Sequence, residues 1–339
     1  MISRRVTMAF NSELLSKLVK IYGPSSKEDR IREFISDEIR DYVDDIRVDA
    51  LGNLIAHKKG QGKKVMISAH MDQIGMMVID IDENGFLRFT NIGGISPYYS
   101  YGQQVIFENG TVGVIFAEPL DDMSKLKLDK MYIDIGAFSK EEALEKVSIG
   151  DICIYKSDFV ENDKVVFTPY LDDRVGCFVA IEALKQIKEP HNDLYYVFSV
   201  QEEVGLRGAK TAAFSIEPDL GISLDVTGHG DTPKARRLAI GLNKGTAIKV
   251  KDRSLIAHPY IRETLVKLAE DKEIPYQMEV LEYGGTDSGA IHINKEGVPS
   301  GVISIPTRYV HSTVEMASKE DINNSIKLLV EFLNTEFDI

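Results

Sequence analysis

The chain has 339 residues, with 40 Lys and Arg against 53 Asp and Glu, giving a formal net charge of -13 at pH 7. That acidity argues against a nucleic-acid partner, which needs a basic face to replace phosphate counterions, and leaves small molecules and peptides open. The length exceeds the usual single core, so one large domain with an insertion, or two domains, is expected.

Cys153 and Cys177 lie in no CxxC pair and point to no disulfide framework, so a reducing compartment is expected. Arg4 and Arg5 are followed by no apolar stretch of the kind a secretion or twin-arginine signal carries. A cytoplasmic setting is therefore expected. No apolar run approaches the roughly 20 residues that would span a bilayer, so no membrane partner is expected.

Residues 11–22 and 26–45 read as amphipathic helices, the second opened by Ser25 and Ser26. Strands are predicted at 51–57 and 64–69, the latter (KVMIS) being a short apolar run suited to burial on both faces. From about 77 to 166 the texture changes to short alternating strands, with hairpin turns at Asn84-Gly85 and Asn109-Gly110. This stretch reads as a small β-rich insertion.

After Asp172 an α/β rhythm returns. Helices are predicted at 174–188, 207–214, 257–272 and 318–335, and strands at 194–200, 220–225, 245–251, 276–281 and 301–305. The fold class expected is α/β, a mixed or parallel sheet covered by helices on both faces, with its site at the carboxyl ends of the strands. The discontinuous parent domain would comprise 1–76 and 167–339, and the insertion 77–166.

Chemistry-bearing residues collect at those strand ends: His70 and Asp72 after KVMIS, Glu202 and Glu203 after YYVFSV, Asp225 after GISL, and His311 beyond VISIPTRY. Asp172 stands at the lip of the helix beginning near Arg174. Two imidazoles with several carboxylates make a mixed nitrogen and oxygen set, suited to zinc, cobalt or manganese rather than calcium or magnesium. Each residue alone has a simpler explanation, since Asp172 and Asp173 could cap a helix, Asp225 could serve a turn, and Glu202 and Glu203 could be solvated. Their coincidence at one sheet edge weakens those explanations.

The segments AHMDQIG at 69–75, LDDRVG at 171–176, QEEVGLRGA at 201–209, LDVTGHGDTP at 224–233, GGTDSGA at 284–290 and RYVHSTVEM at 308–316 together resemble the tetrahedral aminopeptidases, dinuclear metallopeptidases also called glutamyl aminopeptidases. The motifs keep the family's order and span nearly the whole chain. The resemblance implies a metal-dependent aminopeptidase that removes N-terminal residues from short peptides by attack of a water bridging two divalent ions, zinc first and cobalt or manganese as alternatives. It implies that His70 and Asp225 bind one ion, that Glu203 and His311 bind the other, and that Asp172 bridges them across a cis Asp172-Asp173 peptide.

Asp72 would then orient His70, and Glu202 would act as general base. Gly285, Thr286 and Asp287 of GGTDSGA would line the substrate cleft. The insertion would support dimerisation, with dimers assembling into a tetrahedral dodecamer. Two departures stand out: Gln73 occupies a place where the family more often has Glu, and His229 is shifted by one position relative to the family pattern.

Two other readings compete. A glycoside hydrolase using Glu202 and Glu203 is disfavoured, because its two acids must flank a sugar bond about 5 Å or more apart and the histidines would have no role. A non-catalytic relative acting as a scaffold should have lost ligands or the base, and none is lost here.

Overall fold

In the computed structural model, residues 10–156, 158–235 and 237–339 are described; the Arg4-Arg5 segment lies outside them. Among the described residues the large sheet has eleven strands. Four of them form a parallel centre. Lys64–His70 is flanked on one side by Asp193–Ser199 and on the other by Leu220–Thr227, which in turn pairs with Ser300–Arg308. All four point their carboxyl ends to one edge, and the candidate residues gather there.

Alternation along the central strand divides its two faces. Val65, Ile67 and Ala69 enter the main core beneath the helices Ser12–Lys20, Asp29–Ile39, Leu171–Leu184, Pro259–Asp271 and Lys319–Leu333. Met66 points the other way, into a smaller core with Ala209, Ala212 and Ile216 of Arg207–Ile216 and Ile291 of the short Ser288–Ile291 helix. Ser68 and His70 share the parity of Met66 and so belong to that side. Both faces are therefore covered by helix, as a strand of continuous apolar residues requires.

The β-rich segment closes into a six-stranded barrel in the order Gly75–Ile81, Leu87–Ile92, Met131–Asp134, Val112–Ala117, Gln104–Phe107 and Ile152–Tyr155. Met76, Val78, Leu87, Phe89, Val105, Ile115, Ile133 and Cys153 fill it as a separate core. Gly85 and Gly110 turn its hairpins with φ of 88° and 90°, as the two Asn-Gly pairs require. Both cysteines are free and buried, and no helix is long and apolar enough to cross a membrane among the described residues.

Four short strands go beyond the sequence reading. The helix expected over 26–45 stops at Ile39, passes through a 3₁₀ turn at Arg40–Tyr42, and gives way to an edge strand at Asp45–Val48. That strand is largely exposed, and the alternation of Ile46 and Val48 spans only four residues, too few to mark a strand by itself. Val160–Glu161 and Val165–Thr168 pair with each other, and Val165–Thr168 also pairs with Glu315–Ser318 in the large sheet. The barrel strands thus run from Gly75 to Tyr155, and part of the stretch read as insertion lies in the main sheet.

One glycine fixes how the loop after Asp193–Ser199 returns to helix. The Gly208 N–H donates to Val200 O at 3.0 Å, and Asn53 donates to Gly208 O while its own side-chain oxygen receives the Val200 N–H. A Cβ at Gly208 would overlap Asn53 Oδ1 and Val200 O. We expect Gly208→Ala to destabilise the fold by roughly 1–3 kcal/mol, as overpacking of a filled site does. Thermal unfolding measures it, and an unchanged Tm would show that the loop yields freely.

Candidate metal centre

The parallel strands deliver the side chains, and irregular backbone beyond them aims the rest. His70 is the last residue of its strand and is buried, and Asp225 lies near the end of Leu220–Thr227. Glu202 and Glu203 follow Gln201, whose φ of 55° is left-handed. This residue breaks the strand's alternation, so neighbouring acids need not face opposite ways. His311 and Tyr309, past the end of Ser300–Arg308, each have a φ of 62°. Asp172 sits ahead of the regular part of its helix in non-helical backbone, and the Asp172-Asp173 peptide is cis.

These residues form two groups that share one carboxylate. Donor atoms of His70, Asp172 and Asp225 lie within 4.8 Å of one another, and so do those of Asp172, Glu203 and His311. Asp172 Oδ1 is 3.0 Å from His70 Nε2, whereas Asp172 Oδ2 is 3.1 Å from His311 Nε2. Each oxygen of one carboxylate therefore addresses a different histidine. Glu203 Oε1 lies 3.3 Å from His311 Nε2, and Glu202 Oε2 lies 3.9 Å from His70 Nε2.

The electrostatics call for cations. Burial and the neighbouring charges of Asp225 and Glu203 push the Glu202 carboxyl well above the usual range, though His70 opposes the shift. Burial and the charge of Asp172 do the same to Asp225. At Asp172 burial also favours the neutral acid, but hydrogen bonds from His311 and His70 outweigh it and hold the carboxyl below its ordinary value. Both histidines are raised despite burial, His70 chiefly by Glu202 and Asp172, His311 by Glu203 and Asp172. Two imidazoles cannot neutralise so many buried acids, and divalent cations would. Glu203 Oε1 is buried and accepts no well-formed hydrogen bond among the described residues, which leaves it available to a cation. The donor set fits zinc, cobalt or manganese.

Around the candidate ligands stand residues that hold them. Asp72 is fully buried; its Oδ1 lies 3.4 Å from His70 Nδ1 and accepts the Glu202 N–H at 3.0 Å. Its Oδ2 accepts the Ser25 hydroxyl at 2.6 Å and the Glu203 N–H at 3.3 Å. Asp72 thus orients the imidazole and also ties down the backbone of the acid pair, a second task that residue spacing alone does not reveal. Asp173 does cap its helix, its Oδ1 accepting the Gly176 N–H at 3.0 Å.

Glu315 is a functional candidate that sequence reasoning missed. Buried behind the site, it accepts the Asp172 N–H at 3.0 Å with one oxygen and the His311 N–H at 2.7 Å with the other. One carboxylate therefore clamps the backbones of two candidate ligands from distant segments. The available signal was its place in RYVHSTVEM, four residues after His311.

A cleft of about 770 Å³ opens over the two groups, walled by Tyr99, Leu206, Leu281, Tyr283, Tyr309 and Val310. Gly285 lines it as expected, but Thr286 and Asp287 do not. Asp287 is buried under the sheet, where its Oδ2 accepts the hydroxyls of Ser68 and Ser199, each at 2.5 Å. These serines share the parity of the smaller core, which draws Asp287 beneath the site instead of into the cleft. Gln73 is also turned away from the cleft. Its side-chain oxygen accepts from the buried Arg174 at 2.6 Å, and Arg174 also donates to the carbonyls of Leu18, Ile21 and Gly23. His229 does line the cleft, and burial lowers its pKa.

Residues 52–328 match the family described as M42 glutamyl aminopeptidase. A protein of Acetivibrio thermocellus that carries a provisional aminopeptidase name is 56% identical over 94% of this chain and 97% of its own length. The solved structure of an aminopeptidase from the archaeon Desulfurococcus kamchatkensis superposes with a TM-score of 0.91 at 38% identity, covering 95% of this chain and 94% of that one. A TET1 peptidase of Pyrococcus horikoshii, described as able to assemble into a tetrahedron or a large octahedral shell, superposes at 0.86 with 36% identity over 95% and 98% of the two chains.

Proposed function

The chain belongs to the M42 glutamyl aminopeptidase family, and from that premise we propose that its peptide-bond hydrolysis runs at a centre of two divalent ions. In this reading His70 and Asp225 hold one ion, Glu203 and His311 hold the other, and Asp172 is shared between them. The supporting observation is the split of Asp172, whose two oxygens approach separate histidines at 3.0 and 3.1 Å. Zinc is the first choice of metal, with cobalt and manganese as alternatives that suit the same donors.

Ions held there would supply Lewis acidity toward a water and toward the scissile carbonyl. The chain's own residues do the rest. Glu202, whose Oε2 lies 3.9 Å from His70 Nε2, would take the proton of the attacking water as the new C–O bond forms. When the C–N bond breaks, Glu202 returns that proton to the leaving amine nitrogen. Asp72 keeps Glu202 in place through the Glu202 N–H and keeps the His70 ring in one orientation. Glu315 fixes the backbones of Asp172 and His311. The aromatic and aliphatic walls would hold the N-terminal side chain, with Gly285 permitting close approach of the substrate backbone.

Short peptides are the substrates we assign, and the chain acts as a homo-oligomer in the cytoplasm. The barrel built mostly from the 77–166 stretch serves as the dimerisation unit of the parent domain, and dimers build a tetrahedral dodecamer. The shell formed by the P. horikoshii relative supports this assembly. Enclosure of the sites would keep folded proteins out.

A panel of aminoacyl chromogenic amides, assayed after chelation and after return of zinc, cobalt or manganese, tests the reading. Turnover is expected to vanish with chelator, to return with at least one ion, and to be absent for N-acetylated versions of the same amides. Turnover that survives complete metal removal would contradict it.

A further inference from the structure

The barrel reaches the metal centre through one turn. After Leu87–Ile92 the chain runs Gly93-Gly94-Ile95, and this turn lies directly behind the ligands of the second group. A Cβ on Gly94 would sit 2.5 Å from His311 Nδ1 and 2.9 Å from its Cε1, and a Cβ on Gly93 would sit 2.7 Å from Glu203 Oε2. A side chain at Gly94 would require His311 to move, and one at Gly93 would require Glu203 and Ile74 to move. The His311 ring is thus backed by Gly94 at its Nδ1 edge while its Nε2 faces Asp172 and Glu203. The turn is itself held, since the Gly93 carbonyl accepts the Asn91 side-chain N–H at 2.6 Å and the Ile95 N–H at 3.2 Å. Tyr99, a few residues on, extends the same segment into the cleft wall.

We propose that Gly93 and Gly94 are positioning residues for the Glu203 and His311 ion, so that the inserted barrel is a working part of the active site as well as a surface for assembly. The inference rests on the metal assignment above. It assigns the two ions different dependences: His70 and Asp225 are carried by the large sheet, whereas Glu203 and His311, on the backbone just beyond it, are in addition packed against the barrel's Gly93-Gly94 turn. Gly94 gives the cleaner probe, because its φ lies outside the left-handed region and a Cβ there meets the ring without straining the backbone.

The test is cobalt titration of the metal-free full-length Gly94→Ala variant, followed by visible absorption and by turnover of an aminoacyl amide. Affinity for one of two cobalt ions is expected to fall about 10–100-fold, the usual effect of disturbing a group that orients a ligand. The spectrum of that ion should change and kcat should fall, while the other ion binds as in the wild type. Gly102→Ala is the control, since Gly102 is in the same insertion, has a φ of 78° and would place its Cβ within 4 Å of nothing. It carries strain without contact and should leave both cobalt ions undisturbed.

If Gly94→Ala lowers the Tm, adding His311→Ala vacates the space and should restore it; failure to restore would overturn the inference. Unaltered cobalt binding in Gly94→Ala, or equal loss in Gly102→Ala, would overturn it as well. A wild type that takes up no cobalt would instead overturn the metal assignment itself.

Discussion

Glu202→Gln is expected to lower kcat by roughly 10²–10⁴-fold, the contribution of a positioned general base, while leaving bound metal and fold intact. Gln has nearly the same shape as Glu and can still accept a hydrogen bond, so the surrounding packing persists. What it cannot do is take a proton. Glu202 suits the role by position, with its Oε2 3.9 Å from His70 Nε2 and its backbone N–H bound by Asp72. Glu203→Gln should behave differently, weakening metal at one position, because Glu203 belongs to a candidate ligand group and Glu202 does not. Steady-state kinetics alongside metal analysis separates the two. Full turnover in Glu202→Gln would remove the base from the account.

Asp172→Ala is expected to release both ions and to reduce turnover to background. Removing a partner that merely orients a ligand typically costs about 10–100-fold in metal affinity; loss of a ligand common to both groups should cost more, and at both positions. Asp225→Ala supplies the contrast, since Asp225 belongs to one group only, and should loosen one ion while the other stays. Metal content after dialysis reads the difference directly. If Asp172→Ala retains as much metal as Asp225→Ala, the two groups do not share their carboxylate in the way proposed.

How far the sequence revealed this arrangement depends on which physical signal each part leaves. The central strands are apolar on both faces, so KVMIS and GISL announce burial, and residues just past such strands must emerge at one edge of a parallel sheet. Strand ends therefore gathered His70, Asp72, Glu202, Glu203, Asp225 and His311, with Asp172 at a helix lip, and the family resemblance narrowed these to the five residues that the structure brings together as two groups, each within 4.8 Å. The β-rich texture of the insertion was equally legible, because Asn-Gly turns and alternating strands are local, whereas its closure into a barrel leaves no local signal.

Contacts made through backbone were not. Asp72 binds two N–H groups that lie 130 and 131 residues away, and Glu315 binds one that lies 143 residues away. A carboxylate's partners across the fold leave no periodic trace. Asp287 was misplaced for a related reason: a Gly-rich motif suggests close approach of a ligand, yet the parity of Ser68 and Ser199 draws the aspartate below the sheet. The edge strand Asp45–Val48 and the interior strand Glu315–Ser318 have four residues each, too few to show the apolar pattern that marks a core strand. Gly93 and Gly94 read as an ordinary turn, and only their distance to Glu203 and His311 distinguishes them.

The most direct test of the shared-carboxylate centre is an anomalous-scattering map, collected at the zinc edge from crystals of catalytically active, zinc-loaded protein. Two peaks are expected on either side of Asp172, one among His70, Asp172 and Asp225 and the other among Asp172, Glu203 and His311. A map with no peak at these side chains, in protein that still cleaves aminoacyl amides, would contradict the account.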